Sequence, residues 1–472
     1  MNETPMNWKP NACVLAATLL CAGCMVGPDY HPPQYPVPTA WNSTTATQPV
    51  AITNWWTKFN DATLNSLIAR AIATNLDLKI AESNVRQARA ARGIAASGFW
   101  PTLEASGQYR RQSSGGNYPV SGDMYQAGLD ASWEIDIFGG VRRGIEAADA
   151  DVLTTMENRR TTLVSLTAEV ALNYLNLRGY QQQLAIAREN IAAQERSAAL
   201  TRQRFPAFAS KLEVANAEAL VATTRAAIPV LESAARQTIF ALSFLLAREP
   251  AALTGELEAA APLPATPPDV PAGLPSDLLR RRPDIRAAEA ALHGATARIG
   301  VATADLFPKF ALTGSIGTSS TTPSGLVNWN NRVYSAGPTV SWNIFAAGRI
   351  AANIEAQNEA ERQALLTYQK TVLTALGDVE GALVAYVKEQ QHREALAAAV
   401  AANKEAVQLA TRLYTEGQTD FLNVVSAQRA LFSVQDALVQ SERSIATDLI
   451  ALYKALGGGW ENEPPILPRD NR

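Results

Sequence analysis

The chain has 472 residues, 47% of them hydrophobic and 18% charged, and its 41 basic residues nearly balance 44 acidic ones for a formal charge of −3. Apolar material for a core is ample, disorder is excluded by that content, and there is no basic excess to bind nucleic acid. Three His and three Cys argue against a protein-borne metal centre or a Cys/His catalytic site. No run reaches the roughly 18 apolar residues of a membrane-spanning helix.

Residues 12–23 read ACVLAATLLCAG, a short apolar run ending in small residues, as a secretory signal does. Starting at Met6 gives MNWKP, a net positive lead-in, so Met6 is the expected start. The CAGC that follows resembles a bacterial lipobox, with Cys21 where Leu is usual. It implies cleavage after residue 23 and a lipid on Cys24; the alternative is an ordinary signal peptide with a free Cys24. Either way the mature chain keeps one cysteine and forms no internal disulfide. Pro32, Pro33, Pro36 and Pro38 predict an extended tether over 24–60.

The rest reads as a duplication. FWPTLEASG at 99–107 matches LFPKFALTG at 306–314, and Trp133 matches Trp342. The expected domains are a first repeat at 61–249, a Pro-rich linker at 250–275, a second repeat at 276–457 and a tail at 458–472. Each repeat predicts helix, strand, strand, long helix, tight turn, helix.

From Tyr125 to Ile137 apolar or small residues alternate with polar ones or Gly without an error, the period of a strand. Asp130, Glu134 and Asp136 fall on the polar face and suit either a water-filled lumen or a solvated sheet. The second repeat matches this over 334–344, where Pro338 predicts a bulge or an edge strand. Partner strands are expected over 102–109 and 309–317. Leu163, Val170, Leu177, Leu184, Ile191, Ala198 and Phe205 recur every seventh residue, and Val372, Val379, Tyr386, Arg393, Val400, Val407 and Tyr414 form the equivalent row. Such heptads predict coiled packing of long helices. The helix over 142–205 is matched in length by shorter ones over 211–247 and 276–305 laid end to end. Four strands are too few for a spanning barrel, which needs at least about eight.

LPSDLLRRRPDIRAAEAAL (274–292), LYKALGGGW (452–460) and CMVGPDYHPP (24–33) resemble the TolC-like outer-membrane factors, in their NodT-type lipoprotein branch. The resemblance implies a mainly α fold with a small β part. It further implies a homotrimer whose helical tunnel joins a 12-stranded barrel, four strands per chain, in outer-membrane lipid. A periplasmic adaptor and an inner-membrane RND-type transporter are the implied partners, with no cofactor. By the same resemblance the helix turns are adaptor-contact tips, at Ala207 and Ser210 in the first and Gly417 and Thr419 in the second. Ala207 stands where the family has Gly. Aspartates that ring the tunnel's closed end in such proteins match Asn423 and Ser426 here, which are uncharged. Asp420 is left either as a gate acid or as a helix N-terminal acid facing the dipole. Asp284, with Pro283, is read as a helix start, and Arg280, Arg281 and Arg282 as partners for acids of the neighbouring half. His293 and His392 are read as ordinary packed or surface histidines.

The expected function is a passive outer-membrane exit channel of a tripartite efflux pump. The alternative is a lipid-anchored periplasmic scaffold or adaptor that does not span. An enzyme is not expected, since no nucleophile–base arrangement stands out.

Overall fold

The computed structural model describes residues 25–42, 52–114, 120–205, 207, 209–267, 273 and 275–461. Cys24 and the tip residues Pro206 and Phe208 lie outside the described residues. In chain order the main elements are α1 (Ala62–Thr74), α2 (Leu76–Ser97), β1 (Thr102–Ser114), β2 (Val120–Ile135), α3 (Gly140–Arg204) and α4 (Lys211–Leu245). They continue with α5 (Pro283–Ala304), β3 (Lys309–Ser320), β4 (Arg332–Ser341), α6 (Arg349–Thr415) and α7 (Phe421–Ala455). From α2 onward one series runs twice, as the duplication predicts.

The chain divides into two compact units. One takes Asn84–Met156 and Ala287–Gln369 with the N-terminal segment up to Gln34; the other takes Tyr35–Ser83, Glu157–Arg286 and the chain from Lys370.

The first unit holds one antiparallel sheet in the order β1-β2-β3-β4. β2 begins five residues before the alternation predicts and ends at Ile135 rather than Ile137. Pro338 sits in an unbroken register opposite Leu312, on an edge strand, so of the two expectations the edge holds and the bulge does not. The repeats share a tertiary hydrogen bond here. Trp133 Nε1 donates to Phe99 O at 3.1 Å, and Trp342 Nε1 donates to Leu306 O at 3.0 Å. Each indole ties a strand end to the preceding helix–strand junction.

The second unit is helical. Leu163, Val170, Leu177, Leu184 and Ala198 of α3 are buried, as are Val372, Val379, Tyr386, Val400 and Tyr414 of α6. The heptad read from sequence is therefore the packed stripe, apart from Arg393 and Phe205, which is 46% exposed at the helix end. Ion pairs Arg188–Glu232, Arg202–Glu218 and Arg225–Glu195 flank the contact of α3 with α4 at 3.0, 2.7 and 2.6 Å. Exposed as they are, they set register more than stability.

Two expectations are corrected. The helix predicted over 276–305 is broken into Leu278–Arg281 and α5, because Pro283 forces Arg282 into an extended conformation. The end-to-end partner of α4 is also a different helix. Asn75, just before α2, donates its side-chain amide to Leu245 O at 2.9 Å, and Thr74 donates to Leu246 O at 2.8 Å. The end of α7 meets the start of α5 in the same way, through Arg282 and Ala455 O at 3.0 Å.

Candidate functional site

Three features bear on function: the two faces of the sheet, the helix turns, and a strap made by the first described residues.

The register places Leu103, Ala105 and Tyr109, then Leu129, Trp133 and Ile135, then Leu312 and Ile316, then Val340 and Tyr334 on one face. All but Ala105 are large apolar groups open to solvent, up to 78% exposed at Tyr334. The opposite face carries Glu104, Asp130 and Glu134 with Ser106, Gln108, Gln126, Ser315 and Ser335. Ser106 donates to Asp130 at 2.8 Å. Gly128 and Gly317 face each other across β2 and β3 on this polar side. A Cβ on Gly317 would stand 2.5 Å from Ala127 O, so only glycine permits so close an approach of these strands. Asp136 is a correction. It lies past the end of β2, and its carboxylate accepts the backbone N–H groups of Val141 and Arg142 at 3.1 and 2.9 Å. It caps α3 instead of joining the acids of the polar face.

The two helix turns are brought together in the second unit. Arg204, at the end of α3, donates to Tyr414 O at 2.8 Å and Thr415 O at 2.6 Å, the last carbonyls of α6, and lies over the Tyr414 ring. Glu213, in the first turn of α4, accepts from Ser210 N at 2.7 Å and from Phe421 N at 3.3 Å. The first turn thus caps both helix ends of the second: a cation from Arg204 on the last carbonyls of α6 and a carboxylate from Glu213 on the first amide of α7, both in the sense the helix dipole favours. Ser210 completes a capping box, its Oγ accepting from Glu213 N at 3.2 Å. Gly417 holds a φ of 77° and closes α6, with its N–H on Tyr414 O and that of Gln418 on Leu413 O. Beneath the turns Tyr414, Phe421, Val424 and Val425 pack on Ala198, Ala217, Leu220 and Val221.

Of the tip residues, Ala207, Ser210 and Gly417 are exposed and Thr419 is half-buried, accepting from the Asn423 side chain at 2.6 Å. Asp420 is the N-cap residue of α7, but its side chain makes no capping bond. Asp420, Asn423 and Ser426 are all exposed, at helical spacing of three. Sequence reasoning missed Arg204 and Glu213, because a cation at one helix end and an acid at another helix start look like ordinary surface charges.

The strap runs from Met25 to Tyr30 in the first unit. Val26 N–H donates to Phe138 O at 3.1 Å. Arg143, only 2% exposed, donates to Val26 O at 3.3 Å and pairs with Asp29 at 2.6 Å and Glu146 at 2.8 Å. Burial opposes the charge on Arg143, but Asp29 and Glu146 more than offset it and hold its pKa above the usual value. Tyr30 stacks on His293 with centroids 4.3 Å apart and donates to Glu289 at 3.4 Å; burial first, then Glu289, pushes its hydroxyl pKa up. His293 also meets Glu146 at 2.9 Å, and His392 meets Glu389 at 3.1 Å.

The diagnostic segments prove structural. Arg282 binds Asp284 and Asp378, both in its own half, which corrects the expected partners. It is Arg286 that reaches the first repeat, at Glu157 with 2.7 Å. Trp460 donates to Arg281 O at 3.0 Å, with Arg160 and Arg286 stacked over its ring. Among the described residues no group of His, Cys, Asp and Glu is arranged to hold a metal, and no helix is long and apolar enough to cross a membrane.

The family model of outer membrane efflux proteins matches residues 67–248 and 274–458. Nodulation protein T of Rhizobium leguminosarum bv. viciae is 32% identical over 466 residues, 96% of this chain and 94% of that protein. The toluene efflux pump outer membrane protein TtgF of Pseudomonas putida is 32% identical over 472 residues, 96% and 98% of the two chains. The solved outer-membrane channel OprN superposes with a TM-score of 0.88 at 35% identity, over 93% of this chain and 100% of that one.

Proposed function

The chain belongs to the outer membrane efflux protein family, and from that premise we propose that three copies close one barrel and conduct cargo handed over by a periplasmic adaptor and an inner-membrane RND-type transporter. The chain is an outer-membrane efflux channel rather than a non-spanning scaffold. One observation carries the trimer: a sheet of four strands with two free edges and an exposed apolar face. Lipid tolerates no open strand edge, and a spanning barrel needs at least about eight strands. Three copies of four strands give twelve. The apolar face then meets lipid, and Glu104, Asp130 and Glu134 line the water-filled side.

The repeats at 61–249 and 276–457, across the linker 250–275, each give two strands. Ala207, Ser210, Gly417 and Thr419 form the surface offered to the adaptor. Asp420, Asn423 and Ser426 face the gate. A lipid on Cys24, at the head of the 24–60 tether and after removal of 1–23, adds an anchor next to the strap. Direction and energy come from the partner, since the sequence holds no GxxxxGK[ST] loop.

Native mass spectrometry of the protein extracted in detergent from outer membranes tests this. The expected result is a mass of three chains, with acylation on the peptide that begins at Cys24. A monomer without acylation would sink the reading.

A further inference from the structure

The distal end of the sheet carries charge on its apolar face. By register, Arg111 on β1 and Asp123 on β2 share that face with Tyr109 and Tyr125, and Arg332 on β4 shares it with Tyr334. Arg111 reaches Asp123 only at 3.8 Å and is 70% exposed. Arg332 is exposed and donates to Trp329 O at 3.4 Å; Trp329 and Val327 beside it are exposed as well. Aromatic side chains mark the boundary of the lipid band on barrels. The two guanidinium groups lie one step beyond the tyrosines, at headgroup level.

Arg111 and Arg332 sit on the two free edges of the sheet, so they become neighbours only where one copy pairs with the next. That step rests on the trimeric closure proposed above. A pairing that keeps the faces matched and sets Thr102, the first residue of β1, against Ser341, the last of β4, has one outcome. Leu103 falls opposite Val340, Tyr109 opposite Tyr334 and Arg111 opposite Arg332. A slip of two residues, the smallest that keeps the faces matched, leaves the arginines diagonal neighbours about 7 Å apart, still within reach of long side chains. Like charges placed so are destabilising unless an anion lies between them. Asp123 offsets one of the two charges and leaves the seam positive. Planar guanidinium forks fit phosphate oxygens two at a time.

We propose that each seam between copies holds a phosphate group of an outer-leaflet glycolipid, gripped by Arg111 of one copy and Arg332 of the next, with Trp329 beside the sugar. Three such sites surround the barrel and fasten each seam from outside.

The test is native mass spectrometry of the detergent-solubilised trimer incubated with diphosphorylated lipid A or with its phosphate-free counterpart. The expected result is retention of up to three phosphorylated lipids per trimer, with at least about tenfold less of the phosphate-free lipid. Arg111→Gln with Arg332→Gln lowers retention by a similar factor, and Asp123→Asn raises it by freeing Arg111. Should the double variant fail to assemble, Asp123→Asn and Arg332→Gln alone carry the comparison. Equal retention of both lipids, or retention unaffected by these changes in an intact trimer, overturns the site and leaves the trimer standing. Displacement of the lipid by equimolar inorganic phosphate overturns the lipid assignment. A monomeric mass removes the trimer and, with it, the seam.

Discussion

Asn75 and Arg282 hold equivalent places in the two repeats, and each donates its side chain to the last carbonyl of a returning helix, Leu245 O at 2.9 Å and Ala455 O at 3.0 Å. Each residue also begins a new helix. Asn75 Oδ1 accepts from Leu78 N at 3.0 Å, and Arg282 precedes Pro283, the first residue of α5. One side chain therefore ends one helix and starts the next, which joins two short helices into a single column. The charged version is the more demanding. Burial works against the Arg282 charge, but Asp284 and then Asp378 outweigh it and leave its pKa above the ordinary value.

Arg282→Met strands Asp284, Asp378 and the Ala455 carbonyl together. The expected cost is about 3 kcal/mol, against about 1 to 2 kcal/mol for Asn75→Ala, which removes neutral hydrogen bonds. Thermal unfolding followed by the helical signal should show the larger drop for Arg282→Met. The reverse order would remove the argument from buried charge.

Glycines in the sheet are not equivalent. Gly317→Ala forces a Cβ against Ala127 O and should prevent assembly in the membrane, whereas a Cβ on Gly337 meets nothing within 4 Å. Heat-resistant oligomer on a gel should vanish for Gly317→Ala and persist for Gly337→Ala. If both persist, close approach of β2 and β3 is not needed.

The pKa of the Asp448 carboxyl is raised, by burial first and by Glu389 second. A raised acid takes up its proton more readily when folded, so stability falls as pH rises from the ordinary aspartate value of about 4 through the folded one. Asp448→Asn should accordingly raise the melting temperature at pH 7 and leave it unchanged at pH 3, below both values. A gain of equal size at both pH values would point to packing instead of charge.

The first turn holds both helix ends of the second, through Arg204 on one side and Glu213 on the other. Arg204→Ala frees the Tyr414 and Thr415 carbonyls, and Glu213→Gln weakens the hold on Phe421 N–H; each should cost about 1 kcal/mol locally. Hydrogen exchange should speed up in both turns for either variant. Exchange confined to the mutated turn would show that the two are not coupled.

For the gate, Asp420→Ala should reduce cation selectivity of single channels in planar bilayers. Unchanged conductance and selectivity would leave Asp420 as a helix N-terminal acid alone.

The strands, the heptads and the duplication were legible because each is a local period. Alternation from Tyr125 to Ile135 needs no partner to be read, and every seventh residue of α3 faces one way whatever it packs against. Asp136 was misread because an acid one residue beyond a strand keeps the strand's parity while its backbone has already turned toward α3. The pairing of α4 with α2, and of α7 with α5, was hidden for another reason. Helix lengths fit more than one arrangement, and the choice is made by two side chains, Asn75 and Arg282, about 170 residues from the carbonyls they hold.

By itself the sequence determined which residues form strands and long helices, which sheet face is apolar, and that four strands must find others to cross a membrane. Only the tertiary structure decided which helix ends abut, that the first turn caps the second through Arg204 and Glu213, and that Met25–Tyr30 is fastened by Arg143. The physical reason is range. Periodicity follows from backbone geometry a few residues long, whereas a buried charge or a shared cap exists only once distant segments meet and water has left the space between them.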